Sequence, residues 1–218
     1  MTSVSVSGLR KSYETGAGGV PVFTDLSLQL AAGESLALTG PSGSGKSTLL
    51  NILSGLEHVD GGQIQVLGRD AASLTGDQWA GLRRQRIGVV FQDSNLMPAL
   101  TLEENLKLRA DLAGRSFGPV RDWLSRLGLA GLEDRYPDQV SGGQRQRAAL
   151  AMVFVMGPDL VLADEPTGSL DRQTAGDVAD ALFHWQRTQR CGLILATHDL
   201  ALAERCDRRL DLAGGEKA

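Results

Sequence analysis

Nine consecutive residues have the types and spacing to hold a phosphate chain: Gly40, Pro41, Ser42, Gly43, Ser44, Gly45, Lys46, Ser47 and Thr48. They satisfy the pattern G-x-x-x-x-G-K-[ST]. Glycines let the backbone curl so that several N–H groups point inward around an anion. A helix starting at the end of such a loop adds its positive pole. Lys46 then reaches the β- and γ-phosphates of a nucleotide, and the Ser47 hydroxyl is offered to Mg²⁺. A Gly/Ser-rich turn before a chance lysine could give the same string. The flanks argue against chance, because residues 35–39 read as a short buried strand and residues 48–54 as a helix that Gly55 can end.

Two further groups follow in order. Val140, Ser141, Gly142, Gly143 and Gln144 precede an Ala-rich apolar stretch to Met156, read as a long buried helix with Ser141 as its N-cap. Gly157 and Pro158 stop that helix. Next, residues 160–163 form an apolar run suited to a strand buried on both faces of a parallel sheet. The run ends in Asp164 and Glu165, at the carboxyl end of a strand, where open α/β sheets bind ligands. Asp164 is placed to hold Mg²⁺ through water. Glu165 is placed to orient and deprotonate an attacking water.

With these groups in this order, the chain resembles the ATP-binding-cassette family, whose signature reads Leu-Ser-Gly-Gly-Gln; Val140 stands for the leucine. The resemblance covers nearly the whole chain and implies further roles. Gln92, after the strand at 87–91, matches the glutamine that senses nucleotide and touches the transport partner, and with Ser47 and Asp164 it joins the metal set. His198, after the strand at 192–197, matches the histidine that contacts the γ-phosphate. Tyr13 matches the aromatic that stacks on adenine. Gly168 to Asp171 match a loop that family dimers place across their interface. Catalysis then falls to Lys46, Gln92, Glu165 and His198. ATP and Mg²⁺ are the implied cofactors. Nucleotide contacts come from Tyr13, residues 40–48 and, from a second copy, residues 141–144. His58 and His184 have no companions and read as surface residues.

A finer resemblance concerns the residues after Gln92. Asn95, Leu96, Met97, Pro98 and Leu100 look like the bacterial cassettes of the lipoprotein-releasing and macrolide-efflux type. Those pair with a membrane permease and act by mechanical transmission. On that reading Asn95, Leu96 and Pro98 shape a groove for a short helix of the permease, since crowded apolar residues on a loop mark a contact site. The alternative is an ATP switch of the cell-division type, which regulates cell-wall enzymes without cargo. One departure stands out. Met152 occupies a position where the family commonly has Arg, and it is expected to pack as an adaptable apolar filler.

The expected fold is α/β: a phosphate-loop core with a mostly parallel sheet, an N-terminal antiparallel β subdomain and an α-helical signature subdomain at about residues 93–157. The 218 residues are expected to form one nucleotide-binding domain. The half-buried antiparallel strands are placed at 4–6, 26–30 and 63–67, a helical stretch at 103–132 with Pro119 at a helix start, a loop at 16–19 and a frayed tail at 214–218. A net charge of −4 excludes a strongly basic nucleic-acid surface. No apolar run is long enough to cross a bilayer, and the start lacks the pattern of a secretion signal. Cys191 and Cys206 lack C-x-x-C spacing and suit a reducing compartment. These features suit the cytoplasm, and the resemblance implies the inner face of the cell membrane, as a homodimer on a permease. The short span from Lys46 to Ser141 holds no sustained heptads, which argues against a DNA-repair ATPase with an inserted coiled coil.

Overall fold

The computed structural model describes residues 2–15, 18–114, 119–168, 170–213 and 215–217. Two long strands open the chain, β1 (Thr2–Thr15) and β2 (Gly18–Ala31), paired antiparallel. With β4 (Gly61–Val66) and β5 (Arg69–Asp70) they form a four-stranded sheet in the order β2-β1-β4-β5. Alternation dictates this arrangement. Val4, Val6, Leu28, Leu30, Ile64 and Val66 all point to one buried face, and the intervening polar residues point out.

The second sheet has six strands in the order β10-β9-β3-β8-β7-β6. Its members are β3 (Ser35–Thr39), β6 (Ile87–Val90), β7 (Leu160–Asp164), β8 (Gly192–Ala196), β9 (Arg208–Asp211) and β10 (Gly215–Lys217). The five from β9 to β6 run parallel, and β10 returns antiparallel along β9. Every residue of β3 and β8 is buried, as apolar strands covered on both faces require. Residues 215–217 therefore pair in a sheet edge and are not a frayed tail. Likewise Gly18 and Gly19, expected in a loop, begin β2, while residues 16 and 17 of that expected loop lie outside the described residues.

The helices are α1 (Lys46–Leu53), α2 (Gly76–Gln85), α3 (Leu102–Ala113), α4 (Val120–Arg126), α5 (Gly142–Met156), α6 (Arg172–Gln189) and α7 (Leu200–Ala203). Their ends carry the expected punctuation. Thr75, Thr101 and Ser141 each close a reciprocal capping box with Gln78, Glu104 and Gln144. Pro119 is the N-cap of α4, and α5 ends at Gly157 in the left-handed region.

Two apolar clusters divide the molecule. One packs β1, β2, β4 and α1 against one face of the parallel strands. The other joins α3, α4, α5 and α6 to β6, β7 and β8. Met152 is half-buried against this second cluster, as expected of a filler. Glu103 ties α3 to α4 through Arg121 Nη2 at 2.7 Å and takes Lys107 Nζ at 2.8 Å. The two cations hold its carboxyl well below the ordinary carboxylate range, at about 2.

The loop after β6 departs from expectation. Leu96 is only 8% exposed and belongs to the second apolar cluster. Met97, at 50% exposed, is the side chain that faces solvent. A buried residue on the next helix imposes this shape. Asn105 Nδ2 donates to the carbonyls of Met97, Leu100 and Thr101 at 3.2, 3.1 and 2.9 Å, and its Oδ1 accepts from Met97 N–H at 2.7 Å. One side chain thereby satisfies a turn that has no ladder of its own.

Candidate functional site

β3 delivers the chain into the glycine-rich loop, and α1 takes it away. Gly45 is the N-cap of α1 at φ 93, in the left-handed region. A Cβ there would lie 2.6 Å from Phe23 Cζ and 2.6 Å from Val22 Cγ1, so the tip of β2 packs directly on the loop. The first backbone bond into α1 runs from Leu49 N–H to Gly45 C=O at 2.8 Å. The N–H groups before Leu49 precede the helical ladder and are free for an anion. Lys46 is nearly buried, and its Nζ donates to the carbonyls of Gly40 (2.8 Å) and Pro41 (3.1 Å). The charge is thus held at the loop mouth. Ser44 Oγ is buried beneath the loop without a hydrogen-bond partner.

Three strand ends face this loop. β7 ends at Asp164, and Glu165 N–H continues the ladder by donating to Ala196 C=O at 3.0 Å. Glu165 then turns at φ 45, unusual for a non-glycine residue. Its carboxylate, 16% exposed, lies 2.9 Å from Nδ1 of His198, whose side chain is 73% exposed. His198 follows β8 because Thr197 is buried and its N–H bonds Leu38 C=O at 3.1 Å. Gln92 follows β6. The carbonyl before it, Phe91 O, accepts from Gln146 Nε2 of α5 at 3.3 Å. The signature helix α5 therefore touches the start of the Gln92 loop.

These groups converge on a cavity of about 720 Å³. Lining it are Ser42, Gly43, Gly45, Lys46, Ser47 and Thr48 from the loop, with Gln92, Asp164, Glu165, Gly168 and His198 opposite. Tyr13 and Val22 close the remaining side from the β1–β2 hairpin. The Tyr13 ring is 41% exposed and carries Lys11 Nζ 4.8 Å from its centroid; that lysine is fixed by Glu57 at 2.7 Å. Gly40, Pro41 and Ser44 of the same loop do not line the cavity.

The residue set fits an Mg-nucleotide. A lysine and a helix N-terminus face a space large enough for a nucleotide, with an orphaned serine hydroxyl beneath. Asp164 carboxylate and Ser47 hydroxyl are hard oxygen donors of the kind Mg²⁺ takes together with waters. Among the described residues no group of three or more His, Cys, Asp and Glu could hold a metal by itself.

Ser141, Gly142, Gly143 and Gln144 are not in this cavity. Ser141 Oγ accepts Gln144 N–H at 3.2 Å, and Gln144 Oε1 accepts Ser141 N–H at 2.8 Å, so the helix start is built before any ligand arrives. Arg145 Nη1 pins the approach by donating to Val140 C=O at 2.7 Å. Gly143 is where α5 meets α6, since a Cβ there would come within 2.7 Å of Thr174 Cγ2. Ser141 and Gly142 are exposed, Gly143 and Gln144 are half-buried, and none of the four lines the cavity. Ser169, in the loop expected to cross an interface, lies outside the described residues.

Sequence reasoning missed Val22, Gln146 and Asn105. Gln146 gave no distinct signal, because it lies in the polar start of α5 between Arg145 and Arg147. Val22 had no local signal, because its role comes from a hairpin folding over the loop.

Comparison with known proteins gives a consistent result. The family model described as "ABC transporter" matches residues 23–168. An uncharacterized ABC transporter ATP-binding protein of Escherichia coli, YbbA, is 44% identical over 217 residues, covering 98% of this chain and 95% of that protein. The lipoprotein-releasing system ATP-binding protein LolD of Anaeromyxobacter dehalogenans is 43% identical, covering 98% and 91%. The macrolide export ATP-binding/permease protein MacB of Rhodopseudomonas palustris is 39% identical over 98% of this chain, which spans 33% of that longer protein. Among solved structures, the ATP-binding cassette MJ0796, a dimer in a post-hydrolysis state bound to ADP and Pi, superposes with a TM-score of 0.88 at 31% identity, covering 95% of this chain and 93% of that one. No helix among the described residues is long and apolar enough to cross a membrane.

Proposed function

The chain belongs to the ABC transporter family, and from that premise we propose that it is a Mg-ATP hydrolase that works as a homodimer to drive a membrane permease. The observation that carries this reading is the division of the site. The phosphate loop, Asp164, Glu165, Gln92 and His198 share one cavity, while the prebuilt Ser141 helix start lies outside it. A second copy supplies what the first lacks: its Ser141 and Gly143 close over the γ-phosphate from the open side.

Each residue then has a defined task. Tyr13 stacks on the base. The N–H groups at the start of α1 and the Lys46 ammonium bind the phosphates. Ser47, Gln92 and Asp164 hold Mg²⁺, which when bound neutralises phosphate charge. Glu165 takes a proton from the attacking water. His198, against Glu165 Oε2, holds that carboxylate in place and reaches the γ-phosphate. Phosphoryl transfer depends mainly on positioning and charge neutralisation, so a site completed only in the dimer acts as a gate. Met97 and Pro98, exposed after the Gln92 loop, report the nucleotide state to the permease at the cytoplasmic face of the membrane. The relatives named above favour this transporter reading over a cell-wall switch.

The test is Glu165→Gln. The variant should bind ATP, hydrolyse it roughly 10²–10⁴-fold more slowly, and accumulate as a dimer in size-exclusion chromatography with ATP. Unchanged turnover places the base elsewhere. A variant that stays monomeric with ATP contradicts the two-chain site.

A further inference from the structure

Two arginines outside the nucleotide cavity join the far ends of the two helices that the proposed mechanism uses. α1 begins at the phosphate loop and ends at Ser54 and Gly55. Arg83 of α2 donates from Nη1 to both of those carbonyls, at 2.8 and 3.2 Å. α5 begins at the signature Ser141 and ends at Met156. Arg109 of α3 donates from Nη2 to Met156 Sδ at 2.8 Å, and from the same nitrogen to Arg83 C=O at 2.8 Å. The result is a continuous bracket: α1 C-terminus, Arg83, Arg109, α5 C-terminus.

The bracket is costly as plain structure. Among the described residues neither arginine makes an ion pair, and burial lowers the Arg109 pKa from its ordinary value. A half-buried cation whose acceptors are a carbonyl and a thioether is poorly compensated. Only Arg83 has a favourable electrostatic term of its own, since it meets the carbonyls and the negative pole at the α1 C-terminus. A rigid link between two helix ends is what that arrangement provides.

We propose that Arg83 and Arg109 are positioning residues that couple the two nucleotide sites of the dimer. The inference rests on the two-chain reading above. In that dimer α1 of one chain grips one nucleotide, and α5 of the same chain grips the other. Movement of α1 on nucleotide binding reaches α5 through the bracket, so occupancy of one site aligns the signature at the second.

The test uses the full chain. ADP affinity, hydrolysis against ATP concentration, and melting temperature are measured for wild type, Arg83→Met, Arg109→Met and the two lysine variants. ADP reports the phosphate loop alone and should bind within about threefold of wild type. Maximal hydrolysis should fall by roughly 3- to 30-fold. The Hill coefficient should drop from about 2 towards about 1, the limits for two coupled and two independent sites. The lysine variants, which keep a donor on a shorter fork, should recover part of both. Wild-type cooperativity in a folded methionine variant overturns the proposal. Loss of ADP affinity overturns it too, because the arginines would then serve the phosphate loop itself. If neither methionine variant folds, the bracket is a stability clamp and the proposal falls. A wild-type chain that hydrolyses ATP without cooperativity refutes the two-chain reading instead, whatever the arginine variants do.

Discussion

Gly45→Ala tests how the hairpin and the phosphate loop are joined. Two separate costs arise. An L-residue at φ 93 costs roughly 1–2 kcal/mol against glycine. The new methyl would also lie 2.6 Å from Phe23 Cζ and from Val22 Cγ1, and 2.8 Å from Phe23 Cε1. Phe23 is buried in the first apolar cluster and cannot swing aside, so overpacking adds about 1–3 kcal/mol. Gly43→Ala is the matched control. Its φ is 81, and nothing lies within 4 Å of its Cβ position, so it incurs the backbone cost alone. The difference between the two variants should be the overpacking term. For a chain of this length that is a gap of roughly 2–12 °C in melting temperature without nucleotide, with Gly45→Ala the lower. Phe23→Leu removes both offending ring atoms and should narrow the gap when combined with Gly45→Ala. The same displacement moves Tyr13, which pairs with Val20 two residues before Val22, so ATP affinity of Gly45→Ala should fall even where the fold persists. If the two alanine variants melt together and Phe23→Leu gives no relief, the hairpin does not rest on the loop as described.

Three other outcomes are expected. Lys46→Ala removes the point charge on the β- and γ-phosphates and should abolish ATP binding in a calorimetric titration. Leu96→Asp buries a charge in the second apolar cluster and should destabilise the fold by roughly 3–5 kcal/mol in urea unfolding, whereas Met97→Asp should melt like wild type and lose stimulation by the permease. Glu103 has its pKa lowered from the ordinary 4.5 to about 2, so its contribution is full above about 4.5 and is lost as pH falls from there towards 2; circular dichroism should show an acid transition that Glu103→Gln flattens.

Sequence alone was informative wherever the physics is local. A glycine loop before Lys46, a serine at a helix start, and apolar runs ending in Asp164, Gln92 and His198 are set by neighbours along the chain. Each was legible as a strand end or helix start without any knowledge of packing. The strands β9 and β10 were not, because residues 208–211 are mostly charged and become a strand only by pairing with β3. Leu96 shows the same limit. On a loop it reads as an exposed apolar residue, and it is buried only because Asn105 folds that loop onto α3.

Tertiary structure also decided which residues meet. It laid Val22 and Tyr13 beside the phosphate loop, through a hairpin whose two strands pair over most of their length. It tied Gln146 to the carbonyl before Gln92, and Arg83 to the end of α1. Above all, it left the Ser141 helix start outside the cavity that the phosphate loop lines. Motif order along the chain does not say where that helix starts in space, because the course of a helix is set by the face it buries. α5 buries Ala148, Ala151, Phe154 and Val155 against the second apolar cluster, and that packing fixes where its N-terminus lies, outside the cavity lined by the phosphate loop.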